Sequence, residues 1–155
     1  MKFVAKEDIE APIELVFMEV SDFEAFQRQA MRRGAKIVRK DQLDQPAPGM
    51  KWDAKFDLRG RRREVELTLT EYEKPTLMKF EAVSPSIHAF GNVELVALSR
   101  NRTRLRLDIE IKPQNLSARL LVQSLKLAKT NLTKRLQLKV TDYAQTLQER
   151  AKKRA

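Results

Sequence analysis

Few residues in this chain could carry acid–base or nucleophilic chemistry. Among 155 residues there is one histidine, His88, and no cysteine. The missing thiols exclude disulfides, thiolate metal ligands, iron–sulfur clusters and cysteine catalysis. One imidazole excludes a histidine-cluster metal site and leaves a single side chain whose ordinary titration lies near neutrality. His88 follows the turn Ser84-Pro85-Ser86, and no carboxylate close in sequence is placed to orient it, so an exposed strand histidine is the simpler reading. Tyr72 could donate to a buried carbonyl, although its position reads as the end of a strand. Asp53 follows Trp52 and, by alternation, points away from it toward water. There is no Gly-x-Gly-x-x-Gly, phosphate loop, nucleophile elbow or helical His-Glu-x-x-His, so no cofactor and no metal is expected.

The second kind of chemistry on offer is anion attraction. Lys and Arg number 31 against 21 Asp and Glu, a formal charge of +10. Most of the excess lies after Ser117, where Arg119, Lys126, Lys129, Lys134, Arg135, Lys139, Arg150, Lys152, Lys153 and Arg154 face only Asp142 and Glu149. A second knot is Arg59-Gly60-Arg61-Arg62-Arg63, in the turn between the third and fourth expected strands. Such patches attract the phosphates of nucleic acid or anionic lipid. They equally solvate a helix face or a hairpin tip, which is the commoner outcome. Nucleic acid is the poorer fit, because Tyr143 is the one aromatic in the basic segment and base stacking needs more.

The elements that must position these groups follow from periodicity. Lys2 to Glu10 alternates as a first strand. Ala11-Pro12 opens a short helix to about Val20, with proline at the first helical position, where its missing N–H costs nothing. Ser21-Asp22 caps a second short helix carrying Phe23, Phe26, Ala30 and Met31 at spacings of three and four, and Gly34 ends it. Ala35 to Lys40 reads as a strand, and Asp41 to Gly49 as a loop. Alternating runs follow: Trp52, Ala54, Phe56 and Leu58; Val65, Leu67 and Leu69; Met78, Phe80 and Ala82; Phe90 through Leu98; and Leu105, Leu107, Ile109 and Ile111. This is the pattern of an antiparallel sheet with one wet face. From Asn115 or Ser117 the period lengthens. Leu121, Leu125, Ala128, Leu132, Leu136, Val140, Tyr143 and Leu147 predict one amphipathic rod of about thirty residues and roughly 45 Å.

The fold class is therefore α+β in one domain over residues 1–155, with the basic tail from about 149 frayed. A sheet with one dry face must be covered, and the last helix is the only large element able to do so. Trp52, Phe56, Phe80 and Phe90 take inward positions beside Leu67 and Leu107, with Leu121 and Leu125 opposite on the helix. These residues either fill the core or line a pocket, since in such a fold the two surfaces are partly the same. No run reaches the ~18 apolar residues of a membrane span. The opening residues lack a signal-peptide core, so a cytoplasmic location is expected.

Ile9-Glu10-Ala11-Pro12, Val16-Phe17, Val20-Ser21-Asp22-Phe23 and Phe26 resemble the opening of the START-like, or SRPBCC, superfamily. That superfamily includes the birch-pollen-allergen-like proteins and the polyketide cyclase/dehydrase and lipid-transport group. Leu116-Ser117-Ala118-Arg119-Leu120-Leu121 is similar to the start of the closing helix in bacterial members. The resemblance implies the helix-grip fold, a seven-stranded curved antiparallel sheet with two short helices and a long C-terminal helix around a hydrophobic cavity. It places His88 and Arg61, Arg62 and Arg63 on loops at the cavity mouth, the arginines as anion-binding candidates. Binding of a lipid, quinone or polyketide-like molecule is the function it implies, with catalysis the less expected outcome. A cyclase or dehydratase using His88 or Tyr72, and a basic adaptor on an anionic membrane or nucleic acid, are the alternatives.

Overall fold

The alternating runs form one antiparallel sheet in the order β1-β7-β6-β5-β4-β3-β2. The computed structural model describes residues 1–58 and 60–154. Arg59, in the basic knot, and Ala155, at the end of the basic tail, lie outside the described residues. The strands are β1 (Lys2–Ile9), β2 (Lys36–Arg39), β3 (Lys51–Leu58), β4 (Arg61–Glu73), β5 (Leu77–Val83), β6 (Ile87–Ser99) and β7 (Arg102–Pro113). Helices α1 (Ile13–Val20) and α2 (Phe23–Arg32) follow β1, and α3 (Leu116–Leu127) and α4 (Lys129–Arg154) follow β7. The sheet is curved around the C-terminal helical segment, as the resemblance implies. Register shifts at Leu69/Glu71 and Ala97/Ser99 mark bulges, which add local bend and twist.

Cross-strand pairing decides which side chains share the gripped face. Phe3 opposes Ile109, Ile109 opposes Gly91, Gly91 opposes Phe80, Phe80 opposes Leu69, and Leu67 opposes Trp52. A one-residue slip would turn each of these outward, so the apolar pattern fixes the register. The core on this face includes Ala5, Ile9, Trp52, Leu69, Met78, Leu95 and Leu105. Thr103 is the one fully buried polar side chain among the described residues, and its hydroxyl donates to the Ala11 carbonyl at 2.8 Å.

Local chemistry sets the helix ends. Pro12 lies one position earlier than expected: it is the extended N-cap of α1, and its carbonyl accepts from the Val16 N–H at 3.0 Å. Asp22 caps α2 by accepting from the Ala25 N–H at 3.2 Å. Beyond α2, Gly34 takes a positive φ of 98° that other residues avoid.

The expected single closing rod is instead two helices. Ala128 leaves helical geometry at φ −101°, ψ 10°, and separates α3 from α4. Neither proline nor glycine marks the break. Helix α3 packs on β7 while α4 lies along β1, so the junction follows from packing on two different strands. The tail expected to fray is helical through Arg154, whose guanidinium approaches Glu19 at 3.7 Å, with Arg150 at 2.6 Å from the same carboxylate.

Because β1 is an edge strand, its outer backbone groups need partners. Helix α4 supplies them at Lys6 and just beyond the strand at Glu10. The Gln137 side chain donates to the Lys6 carbonyl at 2.7 Å and accepts from the Lys6 N–H at 3.2 Å, and Gln148 accepts from the Glu10 N–H at 3.0 Å. The Thr141 hydroxyl donates to Glu7 at 2.7 Å. Between these clips Val140, Ala144 and Leu147 are buried.

Leu147→Ala should destabilise the fold by about 2–5 kcal/mol in urea unfolding, because Leu147 is 1% exposed at the helix–sheet seam. Leu127→Ala, at 93% exposure, should move stability by no more than about 0.5 kcal/mol. A pH effect is expected at Asp41. The Arg39 guanidinium, aided by the N–H groups of Lys51 and Leu43, holds the Asp41 carboxyl well below the usual range. A depressed native pKa contributes stability that is fully present above the unfolded value of about 3.9 and is lost as pH falls below it. The urea midpoint should therefore drop on acidification below about pH 4, and Asp41→Asn should reduce that drop while lowering stability at pH 7.

Candidate ligand cavity

With α4 fastened to the β1 edge, the β3–β6 side of the gripped face lacks a long helix. Helix α2 spans this region and packs on β2. A cavity of about 790 Å³ lies between α2, α4 and the sheet. This falls within the usual ligand-site range of about 300–1,000 Å³. Its sheet wall is apolar, with Ala54, Leu67, Met78, Val93, Leu105 and Leu107. Helix α4 contributes Leu136, Val140 and Tyr143.

The α2 wall explains why the space is there. Phe23 stands edge-on to Trp52 at 5.4 Å and to Phe80 at 6.0 Å. One turn on, Phe26 meets Tyr143 of α4 at 5.8 Å. These ring contacts tether α2 to the sheet and to α4, yet no residue of α2 is buried. Phe26 and Met31 remain 39% and 49% exposed. An apolar helix stripe that spans a hollow cannot reach the packing density of a filled core.

Polar groups gather at the rim. Gln27 and Gln29 come from α2, Arg33 from the C-cap that ends it, and Lys139 and Asp142 from α4. Burial, reinforced by the Glu19 carboxylate, pushes the Tyr143 phenol above its ordinary value. Tyr143 is thus a neutral donor at physiological pH, and its hydroxyl has no hydrogen-bond partner among the described residues.

Of the sequence-derived candidates, Trp52, Leu67, Phe80 and Leu107 line this cavity. Phe56 has gripped-face parity, opposite Arg63, but lies beyond the lining residues. Leu121 and Leu125 lie on α3, on the far side of the Ala128 break, and Leu136, Val140 and Tyr143 take the place expected for them.

Phe90 points outward, not inward. The β5–β6 register sets Gly91 against Phe80, so the residue without a side chain faces in and the aromatic faces out. There Phe90 is covered by the His88 ring at 4.5 Å and the Lys112 ammonium at 5.2 Å, and it borders a smaller depression with Lys79, Asn92 and Asp108. His88 shares that outer face and does not line the cavity. It does have an orienting carboxylate: Glu81, on the neighbouring strand, lies 2.6 Å from Nε2. Tyr72 packs against Phe17 at 5.3 Å, also outside the lining.

Arg61, Arg62 and Arg63 begin β4 and are not turn residues. Arg62 faces outward with Asp57 at 3.6 Å, while Arg61 and Arg63 alternate to the gripped side. The Arg63 Nε is buried and lacks a partner among the described residues.

Phe23, Phe26, Tyr143 and the polar groups of α2 are lining residues outside the sequence-derived candidates. Their signal was present as helical spacing, which also describes ordinary core stripes.

Norcoclaurine synthase from Thalictrum flavum, in a truncated form, superposes with a TM-score of 0.67 at 11% identity, covering 95% of this chain and 92% of that one. The Zhui aromatase/cyclase from Streptomyces sp. R1128 gives 0.66 at 13% identity, with 99% and 94% covered. A START superfamily protein from Mycobacterium smegmatis gives 0.57 at 14% identity, with 86% and 95% covered. At these identities the likeness establishes the helix-grip fold alone. Curated proteins yield no match. The family model described as polyketide cyclase/dehydrase and lipid transport matches residues 1–148. Nearly the whole chain thus fits that model, and the protein belongs to the polyketide cyclase/dehydrase and lipid transport family.

Proposed function

We propose that this protein binds a hydrophobic small molecule in the cavity between α2, α4 and the sheet. One observation carries the reading: an apolar hollow of about 790 Å³ is spanned by a helix whose aromatic stripe is only partly buried. A guest would cover that stripe and the sheet wall together, gaining roughly 25 cal/mol per Å² of apolar surface removed from water, less the cost of association. Lipid, quinone and polyketide-like molecules share the required apolar body. The Tyr143 hydroxyl offers one donor for a carbonyl or hydroxyl, and Arg33 and Lys139 favour a polar or anionic end.

The same phenol supports a second reading, a cyclase or dehydratase. A neutral donor in an apolar wall can polarise a substrate carbonyl, where charge develops during cyclisation. The Zhui aromatase/cyclase, with the same fold, makes that reading worth testing.

Delipidated protein titrated with fatty acids, quinones and aromatic polyketides should take up one class, read by calorimetry, native mass spectrometry and the emission of Trp52, the single tryptophan. Ala54→Phe, which fills the hollow from the sheet side, should weaken that binding at least tenfold while the fold is retained. Uptake of none of these classes, or unchanged affinity in Ala54→Phe, would overturn the reading. Tyr143→Phe should weaken carbonyl-bearing guests about threefold to tenfold and leave purely hydrocarbon guests unaffected. His88→Ala should leave uptake unchanged, because His88 projects from the opposite face of the sheet.

A further inference from the structure

Helix α3 has two apolar faces, and the fold uses one of them. Ala118 and Val122 are buried, and Leu121 and Leu125 are half-buried on the same side. At about 100° per residue, Leu116, Leu120 and Leu127 fall within about 40° of one another on the opposite side. They are 73%, 61% and 93% exposed. Single exposed leucines are ordinary, but three aligned along one short helix form a stripe. Gln123, uncharged, is the other residue that falls in it.

The charge around this stripe is of one sign. From Lys112 to Thr141 the sequence contains no aspartate or glutamate. Arg119 and Lys126 flank the stripe on one side, and Ser117 and Ser124 flank it on the other. Lys129, Lys134, Arg135 and Lys139 continue the positive surface onto α4. Elsewhere arginines are neutralised: Arg102 and Arg104 by Asp8, Arg106 by Asp108, Arg150 by Glu19. Among the described residues, none of the cations from Arg119 to Lys139 has a carboxylate partner.

An apolar line flanked by uncompensated cations is the arrangement of a helix lying in the headgroup region of an acidic bilayer, where leucines enter the acyl boundary and basic residues meet phosphates. We propose that α3 docks the protein on an anionic lipid surface through Leu116, Leu120 and Leu127, with Arg119 and Lys126 as its headgroup contacts. A second copy of the chain is a poorer occupant. A symmetric contact through α3 would press two uncompensated positive faces together. Nucleic acid would leave the leucines without a role, and no aromatic lies between Lys112 and Asp142 to stack on bases. The surface is separate from the cavity, because no residue of α3 lines it.

The full chain should co-sediment with extruded vesicles of mixed phosphatidylglycerol and phosphatidylcholine at least tenfold more tightly than with phosphatidylcholine alone. The triple variant L116S/L120S/L127S should lose at least tenfold in partitioning with unchanged circular dichroism. R119Q/K126Q should lose roughly tenfold or more, since each basic residue near an acidic surface contributes about fivefold. Leu120→Trp, a single exposed change, should add a tryptophan emission component that shifts to shorter wavelength on vesicles. Absence of binding to the acidic vesicles would overturn the proposal. So would unchanged partitioning of the triple serine variant, which would mean plain charge adsorption, or a Leu120→Trp emission indifferent to lipid. A lipid-free dimer that the triple variant dissolves would assign the stripe to a second copy instead.

Discussion

The seam between α4 and the edge strand β1 is the constraint on which the rest of the molecule depends. An edge strand leaves outer N–H and C=O groups unpaired, and here two glutamine side chains on a helix meet those of Lys6 and the N–H of Glu10. Gln137 and Gln148 stand eleven residues apart, about three helical turns, so both reach the same side of α4. Val140, Ala144 and Leu147 fill the space between the clips. The helix is thus held to one margin of the sheet, and its position is set by hydrogen-bond geometry as well as by apolar contact.

The hollow follows from that placement. A helix centred over the sheet would cover Leu67, Phe80 and Leu107 and leave a filled core. Held at the β1 margin, α4 reaches the other strands only through Leu136, Val140 and Tyr143. Helix α2 then spans the uncovered wall on two aromatic footings, Phe23 on the sheet and Phe26 on Tyr143. Its half-exposed apolar side chains are a local cost in stability, as expected where a surface serves binding and not packing alone. The break at Ala128 has a related origin. The chain leaves β7 on one course and must join the β1 seam on another, and α3 takes up the difference with its second apolar face turned to solvent.

Parity explains the sharpest differences between expectation and structure. The β6 run from Phe90 to Leu98 offers two apolar faces, and the bulk of an aromatic suggests that Phe90 is inside. The β5–β6 register sets Gly91 against Phe80 on the gripped face, and that parity turns Phe90 and His88 outward. Glu81 then meets His88 across the hairpin, although seven residues separate them in sequence. No local pattern announces such a contact, because it depends on where the turn falls. The same parity divides Arg62 from Arg61 and Arg63, three neighbours that sequence treats as one patch.

Sequence by itself determined the order of strands and helices up to the closing segment, the antiparallel sheet, the capped α2 and the exclusion of thiol and histidine-cluster chemistry. These rest on local physics: a period of two or of three to four, turn residues, caps and composition. It also set Trp52, Leu67, Phe80 and Leu107 on the gripped face, because unbroken alternation keeps them in step. Tertiary structure alone decided that the closing rod breaks at Ala128, that α4 sits at an edge, that Tyr143 joins the cavity wall, and that three leucines of α3 face water. Each of these depends on which of two apolar faces finds a partner, and that is settled by elements far away along the chain.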